Sequence, residues 1–327
     1  MDNICHTLVG AALAEAGLKR RTALGAATLM IAANFPDIDV VAVPLGHSLG
    51  FRRGVTHGIP ALIVLPLVLT GLMLAWHRWR RRGESPHAGW LLALSAIGIV
   101  THPVLDWMNT YGMRWLAPFD PSWSYGDALF IVDPWIWLTL GLGVWVSRRR
   151  DRQGGASWFQ PARVALAVVG VYIAAMMALS SSARGSVRTA LAARGLVPDT
   201  TVVEPVPVNP LRRRVIYLSG GAYRLSTYDM LTRQLSAPWF EIPVNAVHPA
   251  VAMANRTAPG REYHSWARLP YYVIEEAADT TWVTIADARY TLDGKSTWAV
   301  TRIPVGGVSA TVTRCRAATA ARRSTCD

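Results

Sequence analysis

The chain has 327 residues, 51% of them hydrophobic, and a formal net charge of +12. A positive mean hydropathy is high for a soluble protein and argues for several membrane spans, and the length leaves room for a membrane domain plus a second domain. Lys and Arg are clumped at 19–21, 78–82 and 147–152, between apolar runs, which marks membrane topology and not a nucleic-acid surface.

Six apolar segments are predicted, at about 4–18, 22–35, 56–77, 88–107, 128–147 and 161–180. The last four are near the length that spans a bilayer. The first two are short and suit a tight helical hairpin, tilted spans or re-entrant helices. No cleavable signal peptide is expected, because no basic n-region precedes the first segment and His6 and Glu15 interrupt it. Each basic clump joins an odd segment to the next even one. With the clumps in the cytoplasm, both termini face outward. From about residue 200 the pattern changes. "EPVPVNP" at 204–210 reads as a linker, and two stretches read as strand pairs, one around Gly220-Gly221 and one around "LDGKS". The fold class expected is mainly α. A polytopic helical membrane domain of about six apolar helices covers 1–182, a linker covers 183–209, and a smaller β-rich domain covers 210–327 outside the cytoplasm. Cys315 and Cys326 either pair in that oxidising compartment or remain free thiols. With three cysteines and no CxxC pair, a thiolate zinc site is not expected.

Polar residues interrupt the apolar pattern at segment ends. "VTHPVLDWMNTYG" places His102, Asp106 and Asn109 at i, i+4, i+7, one face of a helix. "MDNICH" supplies Asp2 and His6, "NFPDID" supplies Asp37 and Asp39, "RRGVTHG" supplies His57 behind Arg52 and Arg53, and "FIVDPW" supplies Asp133. The topology puts all of these on one membrane side, at one depth near the outer interface. Taken singly, each has a plainer role as a helix cap, turn or ion-pair partner. Those roles do not account for the shared side. Imidazole and carboxylate are the usual ligands of Zn²⁺, Mn²⁺ and Fe²⁺, and one or two such ions suit phosphoester hydrolysis. An arginine beside them suits a substrate phosphate.

The order "CHTLVGAAL … NFPDIDVV … RRGVTHGIPALI … THPVLDWMNTYG … DPW" resembles the LexA-binding, inner-membrane-associated hydrolase family, also described as membrane-bound metal-dependent hydrolases. The resemblance covers about residues 1–180. It implies a helical integral membrane protein of the bacterial inner membrane, with His6, Asp37, Asp39, His57, His102 and Asp106 as ligands of a divalent metal. Members often carry Asp, or Asp with Thr or Ser, ahead of the first His, where this chain has Cys5. A LexA partner would be cytoplasmic, opposite to the side expected for this site.

The reading that follows is a metal-dependent hydrolase opening at the outer interface, with Asp2 or Asp133 as outer-shell group or general base and Arg53 on an anionic group. The height of the site favours a membrane lipid or lipid-linked phosphoester as partner. A different reading is a transport or structural membrane protein that binds metal without hydrolysis. A third, a membrane anchor for an outer partner-binding domain, leaves the His/Asp clustering unexplained.

Overall fold

The computed structural model describes residues 1–45, 52–80, 83–277, 279–296 and 298–306; the Cys315 and Cys326 expectation lies outside them. The helical half runs α1 (Asn3–Glu15), α2 (Gly25–Ala32), a 3-10 stretch (Phe35–Leu45), α3 (Ile59–Arg80), α4 (Ala88–Trp107), α5 (Pro134–Arg152) and α6 (Gln160–Ala192). Among the described residues, three of these, α3, α4 and α6, are long and apolar enough to cross a membrane. This corrects the expectation of about six apolar spans. The 13 residues of α1 and 8 of α2 give only about 20 and 12 Å of helix against a hydrocarbon core of about 30 Å. The 19 residues of α5 end in Arg148, Arg149, Arg150, Asp151 and Arg152, so its apolar part also falls short.

Close helix contacts hold this half together. A Cβ on Gly10 would lie 2.6 Å from the Leu29 carbonyl oxygen, and one on Gly98 would lie 2.5 Å from the Ala32 Cβ. α1 therefore packs backbone to backbone on α2, and α2 on α4. Gly98→Ala forces α2 and α4 apart one turn before His102. We expect a loss of about 1–3 kcal/mol, read as a lower midpoint of thermal unfolding in detergent.

The basic clumps gather at one end of the bundle. Lys19 and Arg20 reach Asp151 at 2.7 and 2.5 Å, and Arg148 reaches Glu15 at 3.1 Å. The turn after α3 joins them, because the His87 N–H donates to Thr22 Oγ1 at 2.7 Å. The opposite end carries the His and Asp residues.

At 33 residues, α6 is about 50 Å long, well beyond a bilayer core. It continues into the stretch read as linker, and there Ala183, Val187 and Leu191 pack on Val203, Val215, Tyr217 and Tyr228 of the second domain. That domain has two antiparallel sheets. The first orders β1 (Thr201–Pro205), β2 (Arg212–Ser219), β3 (Ala222–Asp229) and β4 (Gln234–Leu235), with β5 (Phe240–Pro243) also on β3. The second orders β6 (Pro270–Glu276), β7 (Thr280–Asp287) and β8 (Val300–Gly306), covered by α7 (Pro249–Arg256) and α8 (Ala258–Trp266). Gly220 and Gly221, both at positive φ, turn the β2–β3 hairpin, as their position between two strand patterns predicts. The second predicted strand pair is β7–β8.

The β-rich domain docks on the loop between α4 and α5. Arg268 pairs with Asp127 through both carboxylate oxygens, at 3.0 and 2.8 Å. The Arg289 Nη1 donates to the Thr110 carbonyl at 2.6 Å. Tyr111 from that loop enters the apolar core built by Tyr263, Trp266 and Tyr272.

Candidate metal centre

Four side chains converge at the end of the bundle opposite the basic clumps. His102 and Asp106 lie one turn apart at the end of α4, both fully buried. His57 comes from the turn before α3, also fully buried, and Asp37 from the first turn of the 3-10 stretch, 8% exposed. One donor atom from each lies within 4.8 Å of all the others.

The distances within the group have a simple geometry. His57 Nε2 lies 3.1 Å from His102 Nε2, 3.7 Å from Asp37 Oδ1 and 3.6 Å from Asp106 Oδ2. His102 Nε2 lies 3.6 Å from Asp37 Oδ1 and 3.5 Å from Asp106 Oδ2. A tetrahedral ion with nitrogen and oxygen ligands at about 2.0–2.2 Å has edges of about 3.3–3.6 Å. Five edges of the group therefore lie close to those of a metal tetrahedron.

The surrounding contacts aim these donors inward. His102 Nδ1 is 2.7 Å from the Ala33 carbonyl oxygen, which only accepts, so Nδ1 carries the proton. In the neutral ring Nε2 then presents its lone pair to the centre. His57 Nδ1 is held by Thr56 Oγ1 at 3.0 Å, with Asp39 Oδ2 at 3.5 Å. Two neutral imidazoles would otherwise direct Nε2 lone pairs at each other across 3.1 Å, an arrangement that a shared cation relieves. Asp106 Oδ2 is buried and faces both imidazole Nε2 atoms, at 3.6 and 3.5 Å. The residues present thus fit a divalent ion.

Arginines compensate the carboxylates. Arg53 Nε lies 2.9 Å from Asp106 Oδ2. Its Nη1 donates to Asn109 Oδ1 at 3.0 Å, and its guanidinium lies 4.4 Å over the Tyr111 ring. Arg52 donates to Asp37 Oδ1 at 2.9 Å and lies 3.6 Å from Asp39 Oδ1. The Met1 ammonium also pairs with Asp106.

The other residues singled out in the sequence take places around the group. His6 stacks on His102 with centroids 3.8 Å apart, and its Nε2 lies 3.2 Å from Asp106 Oδ1, the oxygen facing away from the two imidazoles. Asp39 sits behind His57 and accepts from the Arg53 N–H at 2.8 Å and the Thr56 hydroxyl at 3.2 Å. Asp2 and Asp133 cap helices. Asp2 Oδ1 accepts from the N–H groups of Ile4 and Cys5, and its Oδ2 accepts from Trp137 Nε1 at 3.2 Å. Asp133 Oδ1 accepts from the N–H groups of Trp135 and Ile136, and its Oδ2 from the Tyr172 hydroxyl at 2.9 Å.

Sequence reading missed the Ala33 carbonyl, which no side-chain pattern signals. Thr56, next to His57 in the chain, puts its hydroxyl on the ring. Asn109 lies past the end of α4, where it holds Arg53 and the Tyr111 N–H.

The family model described as "YdjM inner membrane protein" matches residues 1–184, which hold the whole centre. A curated protein of Bacillus subtilis, described as "Uncharacterized protein YfhP", is 25% identical over 142 residues. That match covers 42% of this chain and 40% of the relative, so the chain spans well under half of its length. No solved structure matches the chain.

Proposed function

We propose, from the premise that the chain belongs to the YdjM inner membrane protein family, that its helical half is a metal-dependent hydrolase acting on phosphoesters. One observation carries this reading. Two His and two Asp donors from three separate chain segments stand at nearly tetrahedral separations, each imidazole oriented by a partner on its far nitrogen.

In this reading Asp37, His57, His102 and Asp106 hold one divalent ion (Zn, Mn or Fe). His6 steadies Asp106 through its outer oxygen, and Asp39 does the same for His57. A bound divalent ion supplies electrostatic stabilisation of phosphoryl oxygens and lowers the pKa of water. Arg52, with its Nη2 on Asp37, stands at the rim and orients a substrate phosphate. Hydrolysis adds the water oxygen to phosphorus and breaks the ester P–O bond, and the leaving alkoxide takes up the water's proton. Asp2 and Asp133 act as caps, and Arg53 holds Asp106.

The chain is multi-pass in this reading, with the basic end cytoplasmic by the positive-inside rule. The centre and the β-rich domain then lie on the outer side, at headgroup height, where a lipid-linked substrate is within reach.

A second reading has its own support. A closed set of four protein donors is the usual form of a structural metal site. Asp106→Asn separates the two. With hydrolysis, wild type binds metal and cleaves bis(4-nitrophenyl) phosphate or 4-nitrophenyl phosphate. The variant then loses at least about 100-fold in rate, beyond the 10–100-fold typical of an outer-shell partner. Wild type that holds stoichiometric metal yet cleaves neither ester favours the structural site. A variant that retains both metal and hydrolysis refutes the role of Asp106.

A further inference from the structure

An open groove of about 440 Å³ lies on the surface beside α1 and α2, with Asp37 of the metal centre in its lining. It is lined by Asn3, Met30, Ile31, Asn34, Phe35, Asp37 and Ile38. Asp37 belongs to the group of four donors, and the other three are fully buried. Asp37 is thus the donor that this groove shares with the centre.

The lining combines polar and apolar side chains. Beside Asp37 the Arg52 guanidinium is partly exposed, 24% by side chain, and uses Nη2 on Asp37. Its remaining donors suit an anion. Met30, Ile31, Phe35 and Ile38 supply the apolar part of the lining, beside Asn3 and Asn34, and Ile31 and Ile38 are 44% and 52% exposed. The same end of the bundle exposes Ile4, Val40, Val55, Leu116 and Phe119. A cation paired to one lining residue, next to four apolar side chains, complements an anionic amphiphile.

We infer that this groove takes an acyl chain of a phosphate-bearing membrane lipid, entering sideways from the bilayer, with the phosphate against Arg52 and the metal centre. This deepens the hydrolase reading and rests on it. The chain lies along Met30, Ile31, Phe35 and Ile38. Specificity then comes from two contacts at once, phosphate at Arg52 and chain in the groove.

The test uses the full chain reconstituted in phosphatidylcholine vesicles. These contain a phosphatidic acid with a diazirine on one acyl chain, or the diacylglycerol carrying the same diazirine. After illumination, adducts are mapped by peptide mass spectrometry. The expected result is labelling concentrated on residues 30–38, falling about tenfold with diacylglycerol, the ratio given by one lost charge-assisted contact. The Ile31→Gln, Ile38→Gln double variant loses that labelling, whereas Leu72→Gln, on the exposed face of α3, keeps it. Labelling spread over α3 and α6 in proportion to their exposed apolar surface overturns the inference. So does equal labelling by both probes. Photolabelling needs no turnover, so failure of the groove registers in the adduct map. Failure of the hydrolase reading registers separately, as missing metal or missing ester cleavage in the same preparation.

Discussion

Purified wild-type protein is expected to hold about one divalent ion per chain, and the His57→Ala, His102→Ala double variant to hold none after dialysis, as measured by elemental mass spectrometry. The two imidazoles supply the shortest edge of the group, 3.1 Å, and both nitrogens point inward. Removing them leaves only Asp37 and Asp106, already engaged by Arg52 and Arg53. Outer-shell partners of metal ligands typically contribute 10–100-fold in affinity. Loss of two ligands must exceed that, so more than about 100-fold is expected. Asp39→Asn, which leaves all four donors in place and weakens the support behind His57, falls within the 10–100-fold range and provides the graded comparison. Equal metal in wild type and the double variant would return these histidines to a packing role.

The largest stability effect is expected outside the group of four donors, at Asp287. Asp287 and Arg289 are both fully buried, and their side chains pair at 2.8 Å, with a second bond at 3.0 Å. Arg289 also reaches across to the Thr110 carbonyl, three residues past the end of α4, so the pair bridges the β-rich domain and the helical half. Asp287→Ala leaves a buried guanidinium without its carboxylate, a change that costs about 3–5 kcal/mol. For a domain of this size that is a fall of about 10–20 °C in the unfolding midpoint. An unchanged midpoint would mean that the domain does not depend on this pair.

The same pair sets a pH dependence. Burial alone would raise the Asp287 pKa. The Arg289 charge and hydrogen bonds from Arg289 and from the Arg268 N–H outweigh burial and hold it below the ordinary carboxylate value. A carboxyl depressed in the folded state contributes fully above its unfolded pKa of about 3.9 and loses that contribution as pH falls through the folded value. The midpoint of wild type should therefore drop on acidification below about pH 4. That acid-sensitive component should shrink in Asp287→Ala.

Much of the architecture was legible from local pattern. The bounds of α4 were readable from the 88–107 apolar run, and the β2–β3 hairpin from two strand patterns around Gly220-Gly221. Hydropathy and turn chemistry act over a few residues, so a sequence displays them directly. α6 was harder. Its apolar character fades near 180, and the helix continues because Ala183, Val187 and Leu191 find a partner in a sheet that forms later in the chain. The first two segments were readable as short. That they remain too short to span, as α1 and α2, follows from the turn at Gly17 and from backbone contact at Gly10 and Gly98.

For the site, the sequence by itself determined which residue types break the apolar runs and that they stand at the ends of those runs. Only the tertiary structure decided how they divide. Asp37, His57, His102 and Asp106 share one centre, His6 and Asp39 stand behind it, and Asp2 and Asp133 cap helices. An aspartate at the start of an apolar segment reads the same whether it caps the helix beginning there or faces a histidine from another segment. The difference lies in distances of 3 to 4 Å between segments far apart in the chain, and those are set by helix packing, which no local pattern records.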